Sequence, residues 1–461
     1  MFPDLASRSI LLIFGVALGI RLISMVLSWW LGGVEAFAIE DSTQFLLEAK
    51  AYAEAGSLFG FATDGTGIYN PQIMPLAGWL FAWTGVTDVA LAWRVILIQH
   101  VLDAATCVVI ALTAGLLSPR YALPAGLAAA LNPTMIVVSN MMLSDTLCLF
   151  FYAILIYAAM RLILRGEERA FPFWQCVALG SMGITGAVFS RYVSLHLSVF
   201  LIGLLAVLIL CRFGFQARER LGALALTALI AAAAIQPIAW RNFESTGHYS
   251  FSLQSGVHLL YWVVPMARDL SGMQPQQEAE QEAQTRLQEI SDATGDGFAQ
   301  SRTMESLGAE MLRETGVGNL LKAWVLGSAL NVATPALAIN PILRALPHDS
   351  FYATPGNGAV GKVFTFLTAA QNQPYGAIVA AMGLATVAWL ALCAYGCVPA
   401  ARTDLFAVLL LFGWCAAVLA VTGPIVSPKY RLPIEPALCV FIGVALSTIL
   451  HRMRGFQNAV R

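Results

Sequence analysis

Runs of about twenty apolar residues recur along this chain, each long enough to cross a hydrocarbon core of about 30 Å, and they constrain its fold more than any other feature. The first covers residues 9–31, SILLIFGVALGIRLISMVLSWWL. Others follow at about 90–117, 121–139, 144–164, 173–190, 192–211 and 221–239, then at 374–396, 404–423 and 432–451. Hydrophobic residues make up 58% of the chain and charged residues 11%, with a mean hydropathy of +0.72. The expectation is an all-α, polytopic transmembrane bundle of about ten to twelve spans. A further apolar piece, 317–338, either adds a crossing or lies along the surface.

Arginine sets the expected orientation. Arg120, Arg161, Arg165 and Arg169, Arg212, Arg218 and Arg220, Arg402, and the tail Arg452, Arg454 and Arg461 share one side if the crossings alternate. That side reads as cytoplasmic. The other receives two large loops, 32–89 and 240–373, and a short one near 424–431. The chain then divides into a transmembrane module (1–240), an outer segment (241–373) and C-terminal transmembrane helices (374–461). No internal repeat pairs the two halves, as a symmetric transporter would require. Polar mass on one face points to chemistry at the outer surface.

Other classes recede. A formal net charge of −1 gives no electrostatic basis for nucleic-acid binding. Nearly all of the eight cysteines lie in apolar runs, and Cys393 and Cys397, though spaced i, i+4, have no companions that complete a zinc site. The amino terminus has little positive charge and no small-residue cleavage pattern, so 9–31 reads as a retained span.

The acidic pair Glu40-Asp41 stands directly after the first span. Carboxylates held at an apolar–aqueous boundary suit general-base or metal chemistry on a substrate that arrives in lipid. Phe45, Leu46, Ala49, Tyr52 and Ala53 recur at helical spacing behind them, which predicts an amphipathic helix on the membrane. Pro71 and Pro75 close a turn and open a second apolar helix. Within the membrane, His100 and Asp103 share a helix face by their i, i+3 spacing, and Arg21 is a candidate partner or snorkels. The Glu/Gln/Ala-rich segment 265–316 predicts exposed outer helices. Its DATGDG stretch lacks the spaced ligands of a calcium loop and reads as a turn. The Pro- and Gly-containing segment 339–373 reads as a mobile cover.

With these elements in order, the chain resembles the membrane-embedded GT-C glycosyltransferases of the protein mannosyltransferase and aminoarabinose transferase type. The resemblance rests on the acidic pair after the first span and on LNPTMIVVSNMMLSDTLCLFF, with Asp145 on the outer side. It continues in QPIAWRNFESTGHYSFSLQSG and in SPKYRLPIEPALCVFIGVAL at the entry to the last helix. Here the pair runs Glu-Asp where many members have Asp-Glu. Asp41 is taken as the counterpart of the catalytic base, with Glu40 beside it.

The resemblance implies a polyprenyl-phosphate sugar donor, transfer with inversion on the outer face, and a lipid, glycan or protein acceptor. It also implies residence in a bacterial inner membrane, with the site facing the periplasm. A phosphate leaving group on a hydrocarbon tail needs cations near the outer interface. Arg191, Arg241, Lys429 and Arg431 all fall at outer ends of spans and are the candidate phosphate ligands. Asp145, His248 and Tyr430 are further candidates. Some relatives use a divalent cation, Mg or Mn, for which Asp41 would be the ligand here, and two adjacent carboxylates do not specify one. The rival reading is a lipid-linked oligosaccharide flippase or other transporter, which would need His100 and Asp103. A non-catalytic scaffold would need no single outer carboxylate.

Overall fold

The computed structural model describes residues 7–55, 75–164, 171–290, 297–349, 351, 354–355 and 358–460, and every regular element among them is a helix. The N-terminal group comprises α1 (Ser7–Gly32), the end-lying α2 (Glu40–Ala55) and α3 (Pro75–Trp83), α4 (Ala92–Gly115) and α5 (Pro119–Ala130). It continues with α6 (Pro133–Ser139), α7 (Asp145–Ile163), α8 (Phe173–Ser190), α9 (Val193–Phe213) and α10 (Arg218–Thr246). A cap follows, built from α11 (Gln254–His258), α12 (Val264–Ser271), α13 (Gln276–Ile290), α14 (Gly297–Thr315), α15 (Val317–Ala333), α16 (Pro341–Arg344) and α17 (Gly358–Thr368). The chain closes with α18 (Tyr375–Thr403), α19 (Leu405–Thr422) and α20 (Glu435–Val460).

Eight described helical stretches are long and apolar enough to cross a membrane, nine if the pair α5 and α6, bent by 49°, is one span. The longest, Val193–Glu244, holds both α9 and α10, parted by a 3-10 turn at Gly214–Ala217. Gly214 takes φ +51° there, a conformation that glycine adopts without steric cost. Each crossing read from the sequence therefore has its own helix or bent pair, and the protein is an integral membrane protein. The bend between α5 and α6 has a local cause. Asn132 accepts the Met135 N–H at 3.1 Å as a cap, and Pro133, which has no N–H, occupies the first turn of α6.

Helix α7 is the central post, packed by α4, α8, α9 and α19, with 89% of its apolar window buried. In α18 only 11% of the window is buried, so most of that helix faces lipid. Exposed Trp29, Trp30, Trp79, Trp83, Trp240 and Trp262 gather at the end where α1 finishes and α7 begins, and Trp174 stands at the other. Amphipathic rings favour the two interfaces of a bilayer. At the Trp174 end, Arg212 makes a two-bond contact with Asp404 at 2.6 and 2.7 Å, joining α9 to α19. Arg220 there donates to the Leu162 carbonyl at 2.6 Å.

The mid-membrane charges neutralise one another. Arg21 on α1 reaches Asp103 on α4 at 2.7 Å and donates to the Ala129 and Ala130 carbonyls, where the dipole of α5 is negative. Arg21 is thus a buried partner and does not snorkel. His100 contacts Asn140 Oδ1 at 3.2 Å, so the two residues that share a face of α4 serve different partners.

The cap encloses a small core of Leu260, Val264, Ala283, Leu307 and Met311. Beside it Arg268 is buried, pairing with Glu282 at 2.8 Å and Glu314 at 3.0 Å. Helix α15 lies against the end of the bundle where α19 finishes: the Trp324 indole donates to the Ala420 carbonyl at 3.0 Å and Asn331 to the Ile425 carbonyl at 2.8 Å. In the described part of 339–373, the Asp349 N–H donates to Asn372 at 2.7 Å and His348 stacks on Tyr375 at 4.0 Å, contacts that tie the cover down. Pro71, and DATGDG apart from Gly297, lie outside the described residues.

Candidate active site

The amphipathic helix expected after the acidic pair is α2, with Ala49 and Tyr52 buried and Phe45 and Leu46 half-buried. Its start is pinned by a residue that the sequence did not single out. Ser42 donates through Oγ to the Met142 carbonyl at 3.1 Å and accepts the Ile39 N–H at 3.0 Å, while the Met142 N–H donates to the Phe37 carbonyl at 2.9 Å. The turn holding Met142 leads into α7, whose first residue is Asp145. Asp41 and Asp145 therefore occupy first turns of adjacent helices, where the macrodipole favours a negative charge. The Glu40 side chain lies outside the described residues.

A cation faces each carboxylate. Lys429 Nζ lies 2.6 Å from Asp41 Oδ2, and Arg191 lies 2.6 Å from Asp145 Oδ2. The two pairs form one electrostatic cluster, since Lys429 also feels Asp145 and Arg191, and Arg191 feels Tyr430. The Asp41 side chain is 52% exposed, Arg191 29%, Lys429 16% and Asp145 8%, so Asp41 is the carboxylate open to a substrate. Arg191 follows the end of α8, where the backbone turns extended; its N–H donates to the Ala187 carbonyl at 2.8 Å. Burial pulls its pKa down, but Asp145 and Tyr430 more than compensate and raise it, so the guanidinium keeps its charge. Beneath it Tyr152 and Ser194 share a 2.7 Å hydrogen bond. His258, at the end of α11, is within electrostatic reach of Arg191, and burial and that charge lower its pKa, which favours the neutral ring.

Lys429 and Tyr430 ride on a 3-10 turn, Pro428–Ile434, that is clamped at both ends. On one side Asn331 accepts the Ser427 N–H at 2.8 Å. On the other, Arg431 points inward to Glu435 at 2.6 Å, to Thr134 at 2.9 Å and to the Val332 carbonyl at 3.0 Å. Glu435 also accepts from Asn132 at 2.7 Å and Thr134 at 2.8 Å. Arg431 is thus committed to a buried network. Two basic residues of one turn thus point opposite ways, Lys429 to Asp41 and Arg431 to the core.

The structure brings Asp41, Asp145, Arg191, Lys429 and Tyr430 together. It places Arg241, buried, near the end of α10, and His248 beside Arg302 (3.4 Å) and Phe298 on the cap. Ser42, Asn331 and Glu435 were not singled out from sequence. The usable signal for Glu435 was a carboxylate four residues after Arg431 at the mouth of an apolar run.

The described side chains alone complete no divalent-cation site at Asp41. Among the described residues no three His, Cys, Asp or Glu side chains are placed to hold a metal ion. An ion on Asp41 would meet Lys429, and charges of +2 and +1 about 4 Å apart repel by on the order of 8 kcal/mol at an effective dielectric of about 20.

No protein-family model matches the sequence. No curated protein matches it either. The chain is similar to solved structures of membrane glycosyltransferases. The oligosaccharyltransferase AglB from Archaeoglobus fulgidus, in complex with an inhibitory peptide and a dolichol-phosphate, superposes with a TM-score of 0.50 at 14% identity, over 96% of this chain and 52% of its own. The Archaeoglobus fulgidus oligosaccharyltransferase in complex with Zn and sulfate gives a TM-score of 0.51 at 13% identity, over 96% and 49%. ArnT from Cupriavidus metallidurans, bound to undecaprenyl phosphate, gives 0.40 at 13%, over 96% and 78%. The likeness to the archaeal oligosaccharyltransferase shows a shared fold. The chain spans about half the length of the archaeal enzyme.

Proposed function

We propose that the protein is a membrane glycosyltransferase that moves a sugar from a polyprenyl-phosphate donor to an acceptor hydroxyl, with inversion. The observation that carries this reading is the convergence of two carboxylate–cation pairs from four distant segments in one cluster at the end of the bundle where α7 begins. Asp41, the exposed carboxylate, accepts the acceptor's proton as its oxygen attacks the anomeric carbon. The bond from that carbon to the phosphate oxygen breaks, and the phosphate leaves with the electron pair. Lys429 and Arg191 hold the charge that builds on it. Asp145, buried, orients Arg191. The fold shared with an enzyme solved in complex with dolichol-phosphate supports a lipid-borne donor. A bacterial inner membrane, with the charged cluster on the periplasmic side, belongs to the same proposal.

Binding of a polyprenyl-phosphate sugar to the purified protein in nanodiscs tests the reading. Asp41→Asn is expected to retain donor binding and lose transfer, whereas Arg191→Ala weakens binding. If the wild-type protein binds no such lipid, the reading falls. The flippase alternative draws less support, because Asp103 is held by Arg21 and His100 contacts Asn140.

A further inference from the structure

We propose that Lys429, together with Arg191, takes the place of a divalent cation at the acidic residues, so that donor binding and transfer at this site run without a metal. The inference rests on the glycosyl-transfer reading above and deepens it.

A bridging metal in such a site would neutralise a carboxylate and hold the departing phosphate at one point in space. Lys429 has the chemistry for both. Its ammonium carries three N–H donors, and the contact with Asp41 Oδ2 at 2.6 Å uses one. Two remain for phosphate oxygens, and the side chain is still reached by water. Arg191, paired with Asp145, adds a second cation in the same cluster. Among the described side chains of the cluster, the four formal charges of Asp41, Asp145, Lys429 and Arg191 cancel. A singly charged phosphodiester is then the next charge these four can accept, whereas a divalent cation would leave them at a net positive charge.

Lys429 is also prevented from stepping aside. Its turn is fastened by Asn331 to the Ser427 N–H on one flank and by the buried Arg431–Glu435–Thr134 network on the other. The ammonium is therefore preorganised beside the base, as a fixed ion would be. A Lys-held phosphate is bound as by a point charge, which tolerates rotation of the leaving group as it departs.

The test uses the full-length protein in nanodiscs after EDTA treatment. Manganese binding is read by electron paramagnetic resonance, and binding and turnover of a polyprenyl-phosphate sugar are read with EDTA and with Mn²⁺. The expected result is no bound Mn²⁺ that Asp41→Asn releases, together with donor binding and turnover unchanged between the two conditions. Lys429→Ala should weaken donor binding about ten- to hundredfold, the loss of one charged hydrogen bond, and Lys429→Arg should recover part of it. Loss of donor binding in EDTA, restored by Mn²⁺, would overturn the proposal, as would a bound Mn²⁺ that Asp41→Asn releases. Should Lys429→Ala fail to fold, the two wild-type measurements still decide. A wild-type protein that binds no donor under either condition sinks the glycosyl-transfer reading, while the resonance signal still reports whether Lys429 keeps ions from Asp41.

Discussion

Asp41 and Asp145 are the same side chain in two settings, and the settings divide their work. Both begin helices and both face a cation at 2.6 Å, yet one is half-exposed and the other buried. Asp145→Asn should therefore displace Arg191 and raise KM for the donor about tenfold or more, with a smaller effect on kcat, whereas Asp41→Asn removes kcat. Steady-state kinetics with a synthetic donor separate the two. Arg431 belongs to another class. Arg431→Met strands the buried Glu435 carboxylate and should destabilise the fold by about 3–5 kcal/mol. The same substitution with Glu435→Leu should recover most of that loss, as read by thermal unfolding in nanodiscs. These distinctions were not legible in sequence, where Lys429 and Arg431 are alike: basic, adjacent to Tyr430, and at the mouth of a span. Only the direction of each side chain in the turn tells the partner of Asp41 from the core residue.

At the scale of elements, the helices were readable because membrane length and apolarity leave the backbone one local solution. The acidic pair likewise announced the start of α2. Two elements needed the fold. The cap segment 265–316 reads as water-exposed helix, yet it buries Arg268 among Glu282, Glu314 and Gln274. Glu314 has its pKa lowered, first by the hydrogen bond from Arg286, while its partial burial works the other way. A carboxyl with a depressed folded pKa stabilises fully above its ordinary value of 4.5 and loses that contribution as pH falls through the lower folded value. Acidification from pH 4.5 downward should thus loosen α13 and α14 before the transmembrane helices. Amide hydrogen exchange across 276–290 would register it, and protection unchanged at pH 3 would contradict it. The segment 339–373 reads as a mobile cover from its Pro and Gly content. Its described part is held by Asn372 and by the His348–Tyr375 stack, contacts between residues more than twenty positions apart that no local composition encodes.

Across the whole molecule, the pair Arg21–Asp103 ties α1 to α4 and, through the Ala129 and Ala130 carbonyls, to α5. Either Arg21→Met or Asp103→Leu alone should cost about 3–5 kcal/mol, because each leaves a buried charge uncompensated. The double replacement should restore most of the stability and leave transfer intact. Loss of activity in a stable double variant would revive the transporter alternative. The sequence by itself determined the membrane environment, the helices, their alternation and the end of the bundle that carries the carboxylates. Each of these follows from the free energy of single segments in water and lipid. Which charges meet was decided only by tertiary structure: Asp41 and Lys429 are 388 positions apart and Asn132 and Glu435 are 303 apart. Such pairs depend on how helices pack and turn, and the chemistry of each residue is identical whichever partner the packing supplies.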